Sequence, residues 1–353
     1  MKLHNMVNRE VLIERMLEST ERRTTISFYK YAKIRNPQLF RDYLYANWEP
    51  LGVLGRVYVA TEGINAQISL PSANIEFFKR MMNDISFFVG MRLNYAVDDD
   101  GKSFFKLAIK VRHKILADGL NDETFDVTKS GVHLNAEDFN RVISNPEAII
   151  IDMRNHYESE IGHMENAITP DVDSFRDSLP VIADMIAGQK DKPLVMYCTG
   201  GIRCEKASAW FKHLGHKEVY QLNGGIIEYV RQCRDKGIPI KFKGKNFVFD
   251  ERMAERISDD VLSVCHQCGE PADEHINCAN LACNLLFIQC SKCHTAMEGC
   301  CSDDCRDIVR LPEDVQKELR KGRVNEKRFF AKGRSPKLKF KPVPLNDTTS
   351  GAD

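Results

Sequence analysis

The period of apolar positions changes several times along the chain, and each change marks an element. After a polar leader, Thr25–Ile34 is dense in β-branched and aromatic residues and predicts a strand. Asn36-Pro37 then opens a helix, with Asn as the cap and Pro at the first position. Its apolar face is Leu39, Phe40, Tyr43 and Leu44. Val53–Ala60 and Ala66–Leu70 read as two strands joined by a turn-like stretch, Thr61–Asn65. A helix over Asn74–Asn83 and one or two strands within Met91–Lys114 complete a βαββαβ order, the ferredoxin-like split βαβ pattern.

Beyond a linker at Ala117–Val132 the pattern changes. Asn135–Ser144 reads as a helix. Ala148–Met153 is an apolar run broken only by Asp152, and Leu194–Tyr197 is similar; both suit buried parallel strands. Cys204–Leu214 predicts a helix with Ala207, Trp210, Phe211 and Leu214 inward, Glu218–Leu222 a strand, and Gly225–Lys236 a helix. This alternation implies a parallel sheet with helices on both faces. Gly237–Asp250 reads as a basic, then aromatic, connector. The expected chain is α/β and multidomain. A ferredoxin- or acylphosphatase-like domain spans 24–118, a parallel α/β domain 130–240, a cysteine-rich module 241–310 and a basic, flexible tail 311–353.

Composition adds few constraints. The 50 basic and 50 acidic residues cancel, so any nucleic-acid surface must come from local clustering. Met1–Glu21 has no apolar core of a secretory signal, and runs such as Ala148–Ile151 fall far short of the ~20 residues that span a bilayer. A cytoplasmic protein with no membrane partner is expected. Nine of the twelve cysteines crowd between Cys265 and Cys305, which in a reducing compartment points to metal.

The strongest local signal is Cys198-Thr199-Gly200-Gly201-Ile202-Arg203, set between a strand and a helix. Such a loop gathers backbone N–H groups and a helix N-terminus at one point, which binds anions. Gly200 and Gly201 let those N–H groups face Cys198, whose thiolate they stabilise, and Arg203 adds positive charge. Cysteine phosphatases use a longer loop, so this smaller ring fits a thiolate or persulfide better. Cys204 is either a resolving thiol or a packed helix residue; Cys233 reads as core.

Four cysteine pairs stand out farther on: Cys265 with Cys268, Cys278 with Cys283, Cys290 with Cys293, and Cys301 with Cys305. Two such pairs complete one tetrahedral zinc site, so the expectation is two structural zincs held by protein alone. An iron–sulfur cluster is the alternative. The pairing order, sequential or interleaved, is open at this level. Cys300 is the odd thiol, and His266, His275 and His294 are possible substitutes.

The Cys198 loop resembles that of the rhodanese superfamily. Ile150–Asn155 resembles its apolar strand ending in Asp-x-Arg, and Gly162–Ile168 its Gly-His-hydrophobic motif, with Asp152, Arg154 and His163 structural first. The longer stretches Met196–Ala207 and Leu222–Tyr229, with Thr61–Ala66 and Phe247–Met253, resemble the rhodanese-domain tRNA uridine hydroxylases. The resemblance runs from about Ile26 to Arg306. It implies oxygen-dependent formation of 5-hydroxyuridine at the wobble position of tRNA, the first step towards 5-carboxymethoxyuridine. Cys198 would be the thiolate or persulfide, molecular oxygen a co-substrate, and a sulfur-donor protein a further partner. No flavin or haem motif is found. The alternative is a sulfurtransferase carrying sulfane sulfur on Cys198; a third reading is a non-enzymatic zinc-bearing RNA-binding or redox-sensing protein. An anticodon loop would need a basic surface, for which Arg112 and Lys114, with Lys106, Lys110 and His113 nearby, and Lys241, Lys243 and Lys245, interleaved with Phe242 and Phe247, are candidates. The segment Gln316–Lys341, with eleven Lys or Arg against two Glu, is another.

Overall fold

Asn36 caps the backbone N–H of Leu39 at 3.0 Å with its side-chain oxygen, and Pro37 takes the first helical position, as the residues require. In this computed structural model, which describes residues 7–122, 124–321, 335 and 337–340, that helix belongs to the first of three packed parts. A leading helix α1 (Arg9–Glu18) precedes β1 (Arg23–Tyr31), α2 (Pro37–Trp48), β2 (Leu54–Ala60), β3 (Gly63–Pro71), α3 (Ile75–Asp84), β4 (Asn94–Tyr95) and β5 (Leu107–Val111). The sheet order is β4-β1-β3-β2-β5. Its first four strands pair antiparallel, the ferredoxin-like arrangement; β5 adds a parallel edge beside β2. Helices α2 and α3 cover one face, over Ile26, Phe28, Val57 and Ile68.

Two local expectations are corrected. Leu39 and Tyr43 are exposed, and the buried stripe of α2 is Leu44, Tyr45 and Trp48, with Phe40 half-buried beside it. Trp48 sets this rotation: it is fully buried among Phe28, Phe78 and Phe88. The stretch Thr61–Asn65 is mostly strand, because the ladder closes with Ala60 opposite Gly63 and leaves Thr61 and Glu62 as the turn.

The second part holds β6 (Val132–Leu134), α4 (Ala136–Ile143), β7 (Ile149–Asp152), α5 (His156–Ser159), β8 (Gly162–Met164), α6 (Phe175–Met185), β9 (Leu194–Tyr197), α7 (Ile202–His213), β10 (Val219–Leu222) and α8 (Gly225–Lys236). Its sheet, β6-β10-β9-β7, is wholly parallel, and every residue of β7 and β9 is buried. Helices α4 and α8 pack one face through Phe139 and Tyr229; α6 and α7 pack the other through Leu179 and Phe211.

The expected connector is a strand, β11 (Phe242–Phe247), paired antiparallel with β8 and with β12 (Ala254–Arg256). Its aromatics are buried, Phe242 under the Arg154 guanidinium at 5.4 Å. The hairpin β13 (His275–Asn277) and β14 (Leu286–Ile288) follows, then α9 (Ser291–Met297), α10 (Asp303–Val309) and α11 (Glu313–Arg320). Part of the tail packs back on the module. Leu338 is buried against the second cysteine group, and the N–H groups of Lys339 and Phe340 donate to the His266 carbonyl. The rest of the basic tail lies outside the described residues. No helix among the described residues is long and apolar enough to cross a membrane.

Asp152 and Arg154 tie β7 to β8. Arg154 is fully buried; its Nη2 donates to Asp152 Oδ2 and to the Gly162 carbonyl, both at 2.6 Å. Arg154→Met leaves Asp152 buried without its cation and is expected to cost about 3–5 kcal/mol, read by urea unfolding of the full chain. The double change Asp152→Leu with Arg154→Met recovers most of that loss.

Candidate active site and cysteine groups

Strand β9 ends at Tyr197, α7 begins at Ile202, and the loop between them curls around the Cys198 sulfur. The Gly201 N–H donates to Sγ at 3.2 Å. Gly201 takes φ +100°, and a Cβ there would lie 2.9 Å from the Tyr29 hydroxyl. The carbonyls of Cys198 and Thr199 turn away, accepting from the N–H groups of Ile226 at 3.0 Å and Ile227 at 3.3 Å, at the start of α8. That contact demands glycine at 225: its φ is +68°, and a Cβ would sit 2.5 Å from the Thr199 carbonyl oxygen.

Burial alone would push the Cys198 thiol up. A hydrogen bond from Cys204, the Arg203 charge and the N–H groups of Cys204 and Gly201 outweigh it and bring the thiol down to about 6. Cys204 is pushed well up, first by burial and then by its bond to Cys198, so it stays a thiol that donates to the thiolate. Arg203 is not free. It is buried in a two-bond pair with Glu158, at 2.6 and 2.8 Å, and lies over Phe249 at 5.8 Å.

The Cys198 loop lines a cavity of about 340 Å³. This is within the ~300–1,000 Å³ of small-ligand sites. Its wall comes from all three parts: the Cys198 loop and Tyr157, Ser27, Tyr29 and Asn94 of the first sheet, and Phe249 after β11. The first sheet is clamped on. Tyr29 donates to Glu205 at 3.1 Å, Asn94 donates to the Gly200 carbonyl at 3.2 Å, and buried Lys206 pairs with Asp118 at 2.5 Å and Glu62 at 3.0 Å. Sequence reasoning missed Glu158, Tyr29, Asn94 and Tyr157. Only Glu158 carried a local signal, the Asn155-x-x-Glu158 capping box of α5.

The eight paired cysteines form two groups in interleaved order: Cys265, Cys268, Cys290 and Cys293, and Cys278, Cys283, Cys301 and Cys305. Within each group the ligand atoms all lie within 4.8 Å of one another, so each could hold a metal ion. Cys300 and the three histidines stand outside both groups. His275 and His266 instead face Glu160 of the central part, at 2.8 and 3.7 Å. Burial would raise the Glu160 carboxyl; the two facing histidines hold it down to about 2.

The basic candidates separate. Arg112 is exposed and lies over the Tyr58 ring at 5.6 Å; Lys114 is exposed and paired with Asp118 at 2.6 Å. Lys241 bonds Ser144 at 2.7 Å, and Lys243 faces Glu165 at 3.5 Å. Lys245 is corrected as a nucleic-acid candidate. It is buried and paired with Asp273 at 2.9 Å and with Glu274, because its strand carries it under the cysteine module. Phe242 and Phe247, also buried, have no face free for a base.

A parallel sheet bearing a six-residue cysteine-to-arginine cradle defines a rhodanese-type domain, and residues 135–232 match the rhodanese-like domain family. Residues 23–115 match the UPF0176 acylphosphatase-like domain, and 243–306 the rhodanase C-terminal family. Over nearly its whole length the chain is similar to proteins named tRNA uridine(34) hydroxylase. It is 56% identical to that of Photorhabdus laumondii (94% of this chain, 95% of the relative) and 53% identical to that of Leptospira interrogans (95% and 92%). A third, from Erwinia tasmaniensis, is 54% identical over 94% of this chain and 95% of its own length. The chain belongs to the tRNA uridine(34) hydroxylase family.

The Cys198 thiolate forms as pH rises, so alkylation of Cys198 by iodoacetamide, read on its peptide by mass spectrometry, is expected to climb with a midpoint near pH 6 and then level off. Arg203→Met removes a charge that favours the thiolate and shifts the midpoint upward. An unchanged midpoint would contradict this account of the cradle.

Proposed function

We propose that this protein hydroxylates uridine 34 of tRNA to 5-hydroxyuridine, with Cys198 as the working thiolate or persulfide. The observation that carries the reading is a thiol lowered to about 6 at a cavity walled by all three parts of the chain. The loop Thr199-Gly200-Gly201-Ile202-Arg203 forms the cradle, in which the Gly201 N–H and the Arg203 charge, with Cys204, favour the sulfur anion. Family membership supplies the substrate class. Molecular oxygen is the co-substrate that supplies the oxygen placed on C5. An anticodon loop is the natural substrate form, since its bases can be splayed from their stack into a cavity. A sulfur-donor protein would load Cys198.

Both cysteine groups are assigned to structural zinc. Thiolates about 2.3 Å from a tetrahedral zinc lie about 3.8 Å apart. The sulfurs of Cys268 and Cys290 are 3.7 Å apart, those of Cys283 and Cys301 3.6 Å, and those of Cys301 and Cys305 3.8 Å. A four-iron cluster would hold its thiolates farther apart. With all positions filled by protein, the metals would hold the module against Glu160 and take no part in turnover. The working division is 24–118, 130–240, 241–310 and 311–353, and the place of action is the cytoplasm, where these thiols stay reduced.

Two measurements follow. Elemental analysis is expected to find two zincs per chain, falling to one in Cys268→Ser, with a lower unfolding temperature. In cells lacking wobble-uridine hydroxylation, the wild-type chain is expected to restore 5-hydroxyuridine in digested tRNA, and Cys198→Ala to restore none. If neither does, while the pure protein moves sulfur from thiosulfate to cyanide, the sulfurtransferase reading replaces this one.

A further inference from the structure

The first sheet has one face covered by α2 and α3 and another that is not. On the uncovered face, strand register sets two rows side by side. One runs Asn94, Ser27, Gln67, Arg56 and Ala108; the next runs Tyr29, Asn65, Tyr58 and Lys110. Neither row contains a carboxylate. The inner end of both rows, Asn94, Ser27, Gln67, Tyr29 and Asn65, lines the Cys198 cavity. The outer end is open: Arg56 and Lys110 are exposed, and Tyr58 is half-buried beneath the Arg112 guanidinium. Arg56, Lys110 and Arg112 have no carboxylate partner among the described residues.

We infer that this sheet face is a track for a single-stranded stretch of RNA, running from Arg56, Tyr58 and Arg112 inward to Cys198. The inference rests on the tRNA reading above and names where the nucleotides beside the target uridine lie. From β4 to β2 the face is about 14 Å wide, at ~4.8 Å per strand. Open sheet faces bearing aromatics are a known way of stacking splayed RNA bases. Tyr58 with Arg112 offers one sequence-tolerant stacking position. Arg56 and Lys110 flank it with the charge that phosphates need. The amides of Gln67 and Asn65 lie between that position and the cavity, where they can bond base edges. The face is basic and polar rather than apolar, which suits RNA and not a protein core.

The test uses the full chain and a fluorescent RNA hairpin carrying an anticodon loop with uridine at its wobble position. A second hairpin has the same stem with its loop closed by base pairs. Tyr58→Ala combined with Arg112→Ala is expected to weaken loop binding by about tenfold or more. Tyr58→Phe should keep the affinity, and Tyr43→Ala, an exposed tyrosine on the covered side, should leave it unchanged. The Cys198 alkylation profile should stay as in the wild type, which shows that the fold survives. The track is overturned if the double variant binds and turns over like wild type, or if the paired hairpin binds as tightly as the open loop. It is also overturned if the variants lose only sulfur transfer from a donor protein. If wild type binds the loop through Tyr58 and hydroxylates nothing, the hydroxylase reading fails and the track stands.

Discussion

An anionic sulfur with no exposure to water must be solvated by the protein, and that requirement shapes everything around Cys198. The Gly201 and Cys204 amides and the Cys204 thiol stand in for water. For those amides to point inward, the loop carbonyls must point outward and still find donors, which α8 supplies through Ile226 and Ile227. The close approach then forces glycine at 225. Arg203 brings charge, and being buried it needs Glu158.

The other two parts are fastened to the same loop and to the helices around it. The first sheet reaches it through Asn94 and Tyr29 and is locked by the buried Lys206 with Asp118 and Glu62. The cysteine module reaches α5, which carries Glu158, through Glu160 and its two histidines, and reaches β11 through Lys245. A sulfur cradle alone would need neither part. Their joint wall makes the cavity a space for a large substrate's reacting end rather than for a small free ion.

The sequence was most legible where the signal is local. The Cys198 loop, the buried strands Ile149–Asp152 and Leu194–Tyr197 and the helix Gly225–Lys236 follow from contiguous residues. What escaped depends on distant partners. Glu158 lies 45 residues before Arg203, and Tyr29 lies 176 before Glu205. Lys245 looked like a surface cation until its strand placed it beside Asp273. The cysteine pairs were plain, but their interleaving is set by the fold of the β13–β14 hairpin and not by spacing. Leu39 and Tyr43 misled because four apolar positions fit a helical face equally well until Trp48 anchors it.

The central claim is that the wobble uridine enters the cavity beside Cys198. An anticodon hairpin with 4-thiouridine at that position can be photocrosslinked to the full chain and the joined peptide sequenced by mass spectrometry. The account predicts crosslinks to cavity residues such as Tyr157 and Phe249, lost when unmodified hairpin competes. A crosslink confined to the cysteine module or to the helix-covered side of the first sheet would contradict it.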